Sequence, residues 1–239
     1  MFMSRALSHP RLPRKLLFSK GLWVPPNSFS SDRYAKANPA RIMNLLNHFP
    51  ANWFQGKSVL EVGCGEGDLG QYLVRLGSHV ASCDARASNI KRLKRKYPTR
   101  EAFVINLDRD RLPTRYDATL CFGILYHLSN PEWFLSQLET PIIFVETIVT
   151  DSLESVCPFV DEDVSLIDAS ASGKACRPSA AWIISHLPRY KLEDISTATA
   201  NWSTVFSSAD FDWIPRNDGK WKRGEKDLRK MWIGRKEAD

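Results

Sequence analysis

No stretch of the 239 residues approaches the ~18 consecutive apolar residues that a helix needs to cross a bilayer, so the sequence predicts no membrane partner. There is no internal repeat and no low-complexity tract, which excludes solenoids and arrays. Cysteine is scarce. Five are present, an odd number with no Cys-x-x-Cys pair, which argues against a disulfide scaffold and for a reducing, cytoplasmic setting. Cys157 and Cys176 stand in a loop region with no histidine beside them, so no metal is expected there. Acid is missing from residues 1–31, which hold Arg5, Arg11, Arg14, Lys15 and Lys20. It is missing again from 85–100, which hold seven bases. Base is missing from 116–173, which hold ten acids. The net charge is +6; without the five bases of the arm, 28 bases face 27 acids, so the body is nearly neutral. The arm partly fits an organelle-targeting segment, but Pro10 and Pro13 interrupt any amphipathic helix; the favoured reading is a docking or lid arm.

What is present is concentrated at residues 57–70. Val59, Leu60 and Val62 read as a buried strand. Gly63, Gly65 and Gly67 follow at once, then an amphipathic run of Leu69, Tyr72, Leu73 and Leu76. A strand that breaks into glycines before a helix brings bare backbone N–H groups against a ligand. A second apolar run, 80–83, ends at Asp84, beside Ala85; a carboxylate there can accept both hydroxyls of a ribose. Gly65, Gly67 and Gly70 also satisfy the dinucleotide pattern G-x-G-x-x-G. Glu61, inside the strand, decides between the readings: it repels a diphosphate and favours a cationic sulfonium and ammonium.

Glu61, Gly63, Gly65 and Gly67 resemble, position by position, the acid-x-Gly-x-Gly-x-Gly motif of the class I S-adenosylmethionine-dependent methyltransferases. Further blocks, over about 55–147, are similar to later motifs of that family. Asp108, four residues before Leu112-Pro113, has the spacing of the acid that meets the adenine amino group; Asp110 is the competing choice. Tyr116 to Leu128 resembles the fourth motif, an aspartate-led strand whose end faces the methyl group. The resemblance implies S-adenosyl-L-methionine as cofactor, held by Glu61, Gly63, Cys64, Gly65, Gly67, Asp84, Ala85, Asp108, Cys121, Phe122 and Gly123. Cys64, Cys83 and Cys121 otherwise read as small apolar packing at strand ends.

Alternation of strand and helix predicts an α/β fold, a Rossmann-like doubly wound sheet with helices on both faces. The expected strands are 58–62, 79–83, 102–106, 116–122, 142–147, 190–195 and 230–235. That makes about seven, the last antiparallel as the resemblance implies. Helices are expected from Arg33, from Pro39 to Phe49, at 67–76, 87–97 and 131–138, and from Ser179 to Leu187. The organisation is an arm with cap helices over 1–50 and a methyltransferase domain over 51–239, interrupted by insertions at about 148–176 and 197–228. A connection as long as 148–176 is more often functional than idle.

Methyl transfer needs alignment and exclusion of water; an oxygen or nitrogen acceptor also needs a base. His127, after the fourth strand, is the candidate base; packing or capping is the competing role. Tyr126 is a candidate to orient the acceptor or touch the cofactor, and otherwise packs. Asp117 precedes the fourth strand with no acidic pair after it, which argues against a metal-dependent catechol-type reaction. Ser31, Arg33 and Tyr34 are candidates to close over the cofactor, and Trp202 and Trp213 to wall the acceptor, although core packing is the favoured role for the two tryptophans. The leading function is therefore methyl transfer to an O or N acceptor of a small molecule. RNA is the alternative partner: Gly123 to His127 resembles the corresponding stretch of tRNA wobble-uridine carboxymethyltransferases, and the 86–96 bases suit phosphates. A non-catalytic cofactor-binding subunit is the third reading. The sequence is silent on oligomeric state.

Overall fold

The computed structural model describes residues 32–196, 213–215, 221–223 and 229–237. The basic arm, Ser31 and Trp202 lie outside them, as do the side chains of Arg33, Tyr34 and Trp213.

In chain order the elements are α1 (Asp32–His48), β1 (Ser58–Val62), α2 (Asp68–Arg75), β2 (His79–Asp84), α3 (Ala87–Lys96), β3 (Glu101–Val104), β4 (Ala118–Phe122), α4 (Pro131–Ser136), β5 (Ile142–Ile148), β6 (Phe159–Asp161), β7 (Lys174–Cys176), α5 (Ala180–Ser185), β8 (Tyr190–Asp194), β9 (Trp213–Pro215), β10 (Trp221–Arg223) and β11 (Arg229–Lys236). Seven strands form one sheet in the order β3-β2-β1-β4-β5-β11-β8. β1 to β5 run parallel, and β11 lies antiparallel between β5 and β8. The strand order reverses between β1 and β4, which is where open α/β sheets leave a crevice. β9 and β10 make a separate antiparallel pair.

Strand alternation divides the core. Leu60, Val62, Cys83, Cys121, Ile143, Val145 and Trp232 pack against Phe134, Leu135, Trp182 and Ile183, on the face of α4 and α5. Val59, Leu120, Phe122, Phe144, Met231 and Ile233 pack on the other face with Ile42 and Leu45 of α1 and Leu73 of α2. Phe49 and Phe144 meet there edge to face, with centroids 5.4 Å apart.

Three expectations change in detail. The two helices expected around Pro39 are one: the proline forgoes one backbone hydrogen bond without ending α1. β4 starts at Ala118 rather than Tyr116, because Asp117 is occupied with β1. Its Oδ2 accepts from the backbone N–H of Ser58 at 2.8 Å and from the Ser58 hydroxyl at 2.7 Å. Those bonds, with Lys57 nearby, hold the Asp117 carboxyl below the usual range. Finally, the 148–176 connection contains structure of its own. β6 and β7 pair antiparallel, with Phe159 opposite Cys176.

Candidate active site at the switch point of the sheet

The turn after β1 is built by glycines in the left-handed region: Gly63 at φ 64°, Gly65 at 53° and Gly67 at 78°. Gly63 is also a close approach. A Cβ there would stand 2.4 Å from Cγ1 of Ile124, so the β1 turn presses directly on the turn after β4. One cleft opens between these turns and is lined by Glu61, Gly63, Cys64, Gly65, Asp84, Ala85, Asp108, Phe122, Gly123 and His127, among others. The sequence-predicted candidates thus converge on a single place, apart from three that stand off from it.

Gly67 is the first. It caps α2 from just behind the rim, and a Cβ there would meet Cδ1 of Leu93 at 2.6 Å. Cys121 is the second. It belongs to the buried core beneath β4, because alternation along the strand sends Leu120 and Phe122 to the cleft face and Cys121 to the other. Burial pushes its thiol well above its ordinary value. Tyr126 is the third. Its ring is buried beside Arg229, whose Nη2 donates to the phenol oxygen at 3.1 Å; its carbonyl accepts from Arg177. The two rings pack against each other, with centroids 4.0 Å apart, yet His127 lines the cleft while Tyr126 lies behind it.

Glu61 touches the cleft but is turned to its own loop. Oε1 accepts the Gly70 N–H at 2.7 Å, Oε2 accepts the Ser82 hydroxyl at 2.7 Å, and Arg100 Nη1 stands 3.7 Å away. Burial pushes its carboxyl up; Arg100, Ser82 and Gly70 oppose that. Its geometry is that of an anchor that pins the first turn of α2 to β1 and β2. Asp84 ends β2 at the cleft. Its Oδ2 accepts from Gly65 N–H at 3.0 Å, and its Oδ1 from Arg86 N–H at 2.8 Å and Asn89 at 3.1 Å. Burial raises its pKa against those bonds. Asp108 uses Oδ1 to accept the N–H groups of Ser129 and Asn130, both at 2.8 Å, which fixes the entry to α4.

Sequence reasoning missed three contributors. Arg41 of α1 is buried, lines the cleft, and donates to Glu146 Oε2 at 2.8 Å and Asn38 at 2.9 Å; its Nε has no partner. The second lies in the 148–176 connection, expected to be functional but without named residues: the segment between β6 and β7. Ile167, Asp168, Ala169 and Ala171 wall the cleft, and Arg86 ties them down by donating to the carbonyls of Val164, Ala169 and Ser170. The third is Glu162 on that segment, whose Oε2 lies 2.6 Å from Nδ1 of His127. Its only signal in the sequence was the acidic run Asp161-Glu162-Asp163, which reads as a solvated loop. Among the described residues no cluster of side chains has the makings of a metal site.

The arrangement can be weighed by charge. Six carboxylates (Glu61, Glu66, Asp68, Asp84, Asp108, Asp168) line the cleft against two guanidinium groups, Arg41 and Arg86. With Asp68 paired to Lys96, Glu66 to Arg92 and Glu61 beside Arg100, the lining is of mixed charge and accommodates an adenosine whose tail carries both a cation and a carboxylate. A glycine turn without side chains, a carboxylate at the end of β2 and a buried arginine together fit such a compound.

Comparison with known proteins agrees. The family model described as "Methyltransferase domain" matches residues 60–140. Over that stretch the chain is similar to the class I S-adenosylmethionine-dependent methyltransferases. Among relatives, it is 32% identical over 96 residues to the mitochondrial ubiquinone biosynthesis O-methyltransferase of Schizosaccharomyces pombe, covering 36% of this chain and 34% of that protein. It is 28% identical over 129 residues to the ubiquinone biosynthesis O-methyltransferase of Maricaulis maris, covering 47% and 49%. The matches thus span about a third to a half of the length of these curated relatives. Among solved structures, the N-terminal domain of EvdMO1 with S-adenosylhomocysteine bound superposes with a TM-score of 0.62 at 19% identity, over 95% of this chain and 97% of that one. A Burkholderia thailandensis 1,6-didemethyltoxoflavin-N1-methyltransferase gives 0.55 at 14%, over 85% and 79%. At such identities the likeness is one of fold.

Proposed function

We propose that this methyltransferase domain moves a methyl group from S-adenosyl-L-methionine to an oxygen of a small molecule. The observation that carries the reading is the convergence, on one cleft at the switch point, of the glycine turn, Asp84 and His127. S-adenosylmethionine supplies a methyl on a sulfonium, whose departure leaves a neutral thioether. The chain's own work is then to hold, align and dry the reactants. Asp84 would accept the ribose hydroxyls, exchanging its bond from Gly65 for them. The turn after β1 would receive the middle of the cofactor against bare backbone. Arg41, with an unpartnered buried Nε, would take the carboxylate of the methionine end, and Phe122 and Gly123 would flank it. Asp108 stands on the adenine side. His127 would remove the proton of the acceptor hydroxyl.

An oxygen acceptor is preferred because both ubiquinone relatives are named O-methyltransferases. A small acceptor is preferred over RNA because the basic α3 region is largely engaged. Lys96 pairs with Asp68 at 2.6 Å, Arg92 with Glu66 at 3.1 Å, Arg100 with Gln71 at 2.6 Å, and Arg86 holds the wall. Few cations there remain for phosphates.

Calorimetric titration with S-adenosylmethionine, S-adenosylhomocysteine and NAD in parallel tests the cofactor. Binding of the first two and not of NAD is expected; NAD alone would overturn the reading. Asp84→Ala should weaken S-adenosylhomocysteine by about 1–3 kcal/mol. Methyl release from labelled cofactor onto a panel of phenols, alcohols and amines then identifies the acceptor class.

A further inference from the structure

Glu162 and His127 are 35 residues apart in sequence and 2.6 Å apart in space. The carboxylate is gripped by two further donors, one of them itself tied back to the turn that carries His127. Ser170 N–H donates to Oε2 at 2.7 Å, Arg177 Nη2 donates to Oε1 at 3.1 Å, and Arg177 Nη1 ties back to the Tyr126 carbonyl at 3.1 Å. Both side chains are largely shielded, at 11% and 14% exposure. Burial alone would raise the Glu162 carboxyl; His127, Ser170 and Arg177 instead hold it down at about 2, so it is ionised. An ionised carboxylate only accepts, so the proton in this contact belongs to Nδ1 of the imidazole. A neutral ring with its proton on Nδ1 keeps its lone pair on Nε2, the other nitrogen.

We propose that Glu162, delivered by the segment between β6 and β7, is the positioning residue that fixes His127 as the Nδ1–H tautomer and leaves Nε2 as the proton acceptor for methyl transfer. This rests on the reading of His127 as the base. The same segment walls the cleft and is tied by Arg86 to the end of β2. Exclusion of water and correct setting of the base are therefore one event: the dyad exists only while the wall is seated.

The test is a spectroscopic signature that packing alone would not move. Long-range 1H–15N spectra of the full chain, taken at a pH where the ring is neutral, assign which nitrogen of His127 carries the proton. Wild type is expected to show Nδ1–H. Glu162→Ala should at least halve that population in favour of Nε2–H, while affinity for S-adenosylhomocysteine by calorimetry stays within about 2-fold, which also shows that the variant is folded. Should the alanine variant fail to fold, Glu162→Gln preserves the volume and an accepting oxygen; it is expected to fall between wild type and the loss of the contact. With an acceptor from the panel above, kcat of the alanine variant should drop on the order of 10- to 100-fold at little change in KM. Nε2–H in wild type, or an unchanged tautomer in both variants, overturns the inference. Failure of wild type to bind S-adenosylhomocysteine overturns the methyltransferase reading instead, whatever the tautomer.

Discussion

Two glutamates lie fully buried at the carboxyl side of the sheet, and they are held in opposite ways. Glu61 of β1 is met by neighbours in its own unit: the Gly70 amide and Ser82 hydroxyl, 9 and 21 residues away, with Arg100 at 3.7 Å. Glu146 of β5 is met by two guanidinium groups from the far ends of the chain. Arg41, 105 residues away, donates at 2.8 Å, and Arg229, 83 residues away, at 2.9 Å. The first cluster shapes a loop with mostly neutral donors. The second joins α1, β5 and β11 by direct charge pairing. Their exposures are 2% for Glu61 and 0% for Glu146, so burial does not distinguish them; the partners do.

The comparison predicts unequal costs. Glu146→Gln would remove the charge that buried Arg41 pairs with, and weaken the contact with Arg229, and should cost about 3–5 kcal/mol in denaturant unfolding. Glu61→Gln keeps an oxygen for Gly70 and leaves Arg100 with Ser82 and Gln71, so it should cost about 1–3 kcal/mol. Equal losses would break the distinction. Acid sharpens it further through a third glutamate. Glu162 is held down from 4.5 to about 2, so its contribution is complete above about pH 4.5 and is lost as pH falls through about 2. The Glu61 carboxyl is raised by burial, so protonation on acidification relieves a penalty and works in the other direction. Unfolding midpoints of wild type and Glu162→Ala should therefore converge as pH falls from neutral toward 2, whereas those of wild type and Glu61→Gln should not follow that course. Smallest is Asp117→Asn. The half-exposed carboxylate gives up charge assistance to Ser58, for less than about 1 kcal/mol by thermal unfolding.

What was legible in the sequence follows the same division. β1, the glycine turn, α2 and Asp84 are contiguous, and their periodicity and spacing carry their contacts with them. The Arg41–Glu146–Arg229 cluster is invisible because nothing in a linear string brings residues that far apart together. In β4, residues 118–122 are all buried, so the period of two that separates Cys121 from its neighbours cannot be seen until both faces of the sheet are covered. Tyr126 and His127 are adjacent in sequence with their rings in contact, yet only His127 lines the cleft, which the sequence alone does not decide. Glu162 sat in a run of acids whose plain expectation is solvent. Its partner was found only by the fold of the long connection, whose two three-residue strands have too few side chains to announce themselves.

The placement of β11 sets an order of assembly. Among the described residues it is the last strand in sequence, yet it lies inside the sheet, and β8 pairs with no other described strand. Until it arrives during synthesis, β5 has a bare edge, β8 has no seat, and Glu146 has one of its two arginines. Seating β11 therefore joins β8 to the cleft-forming strands and completes the Glu146 cluster in one step.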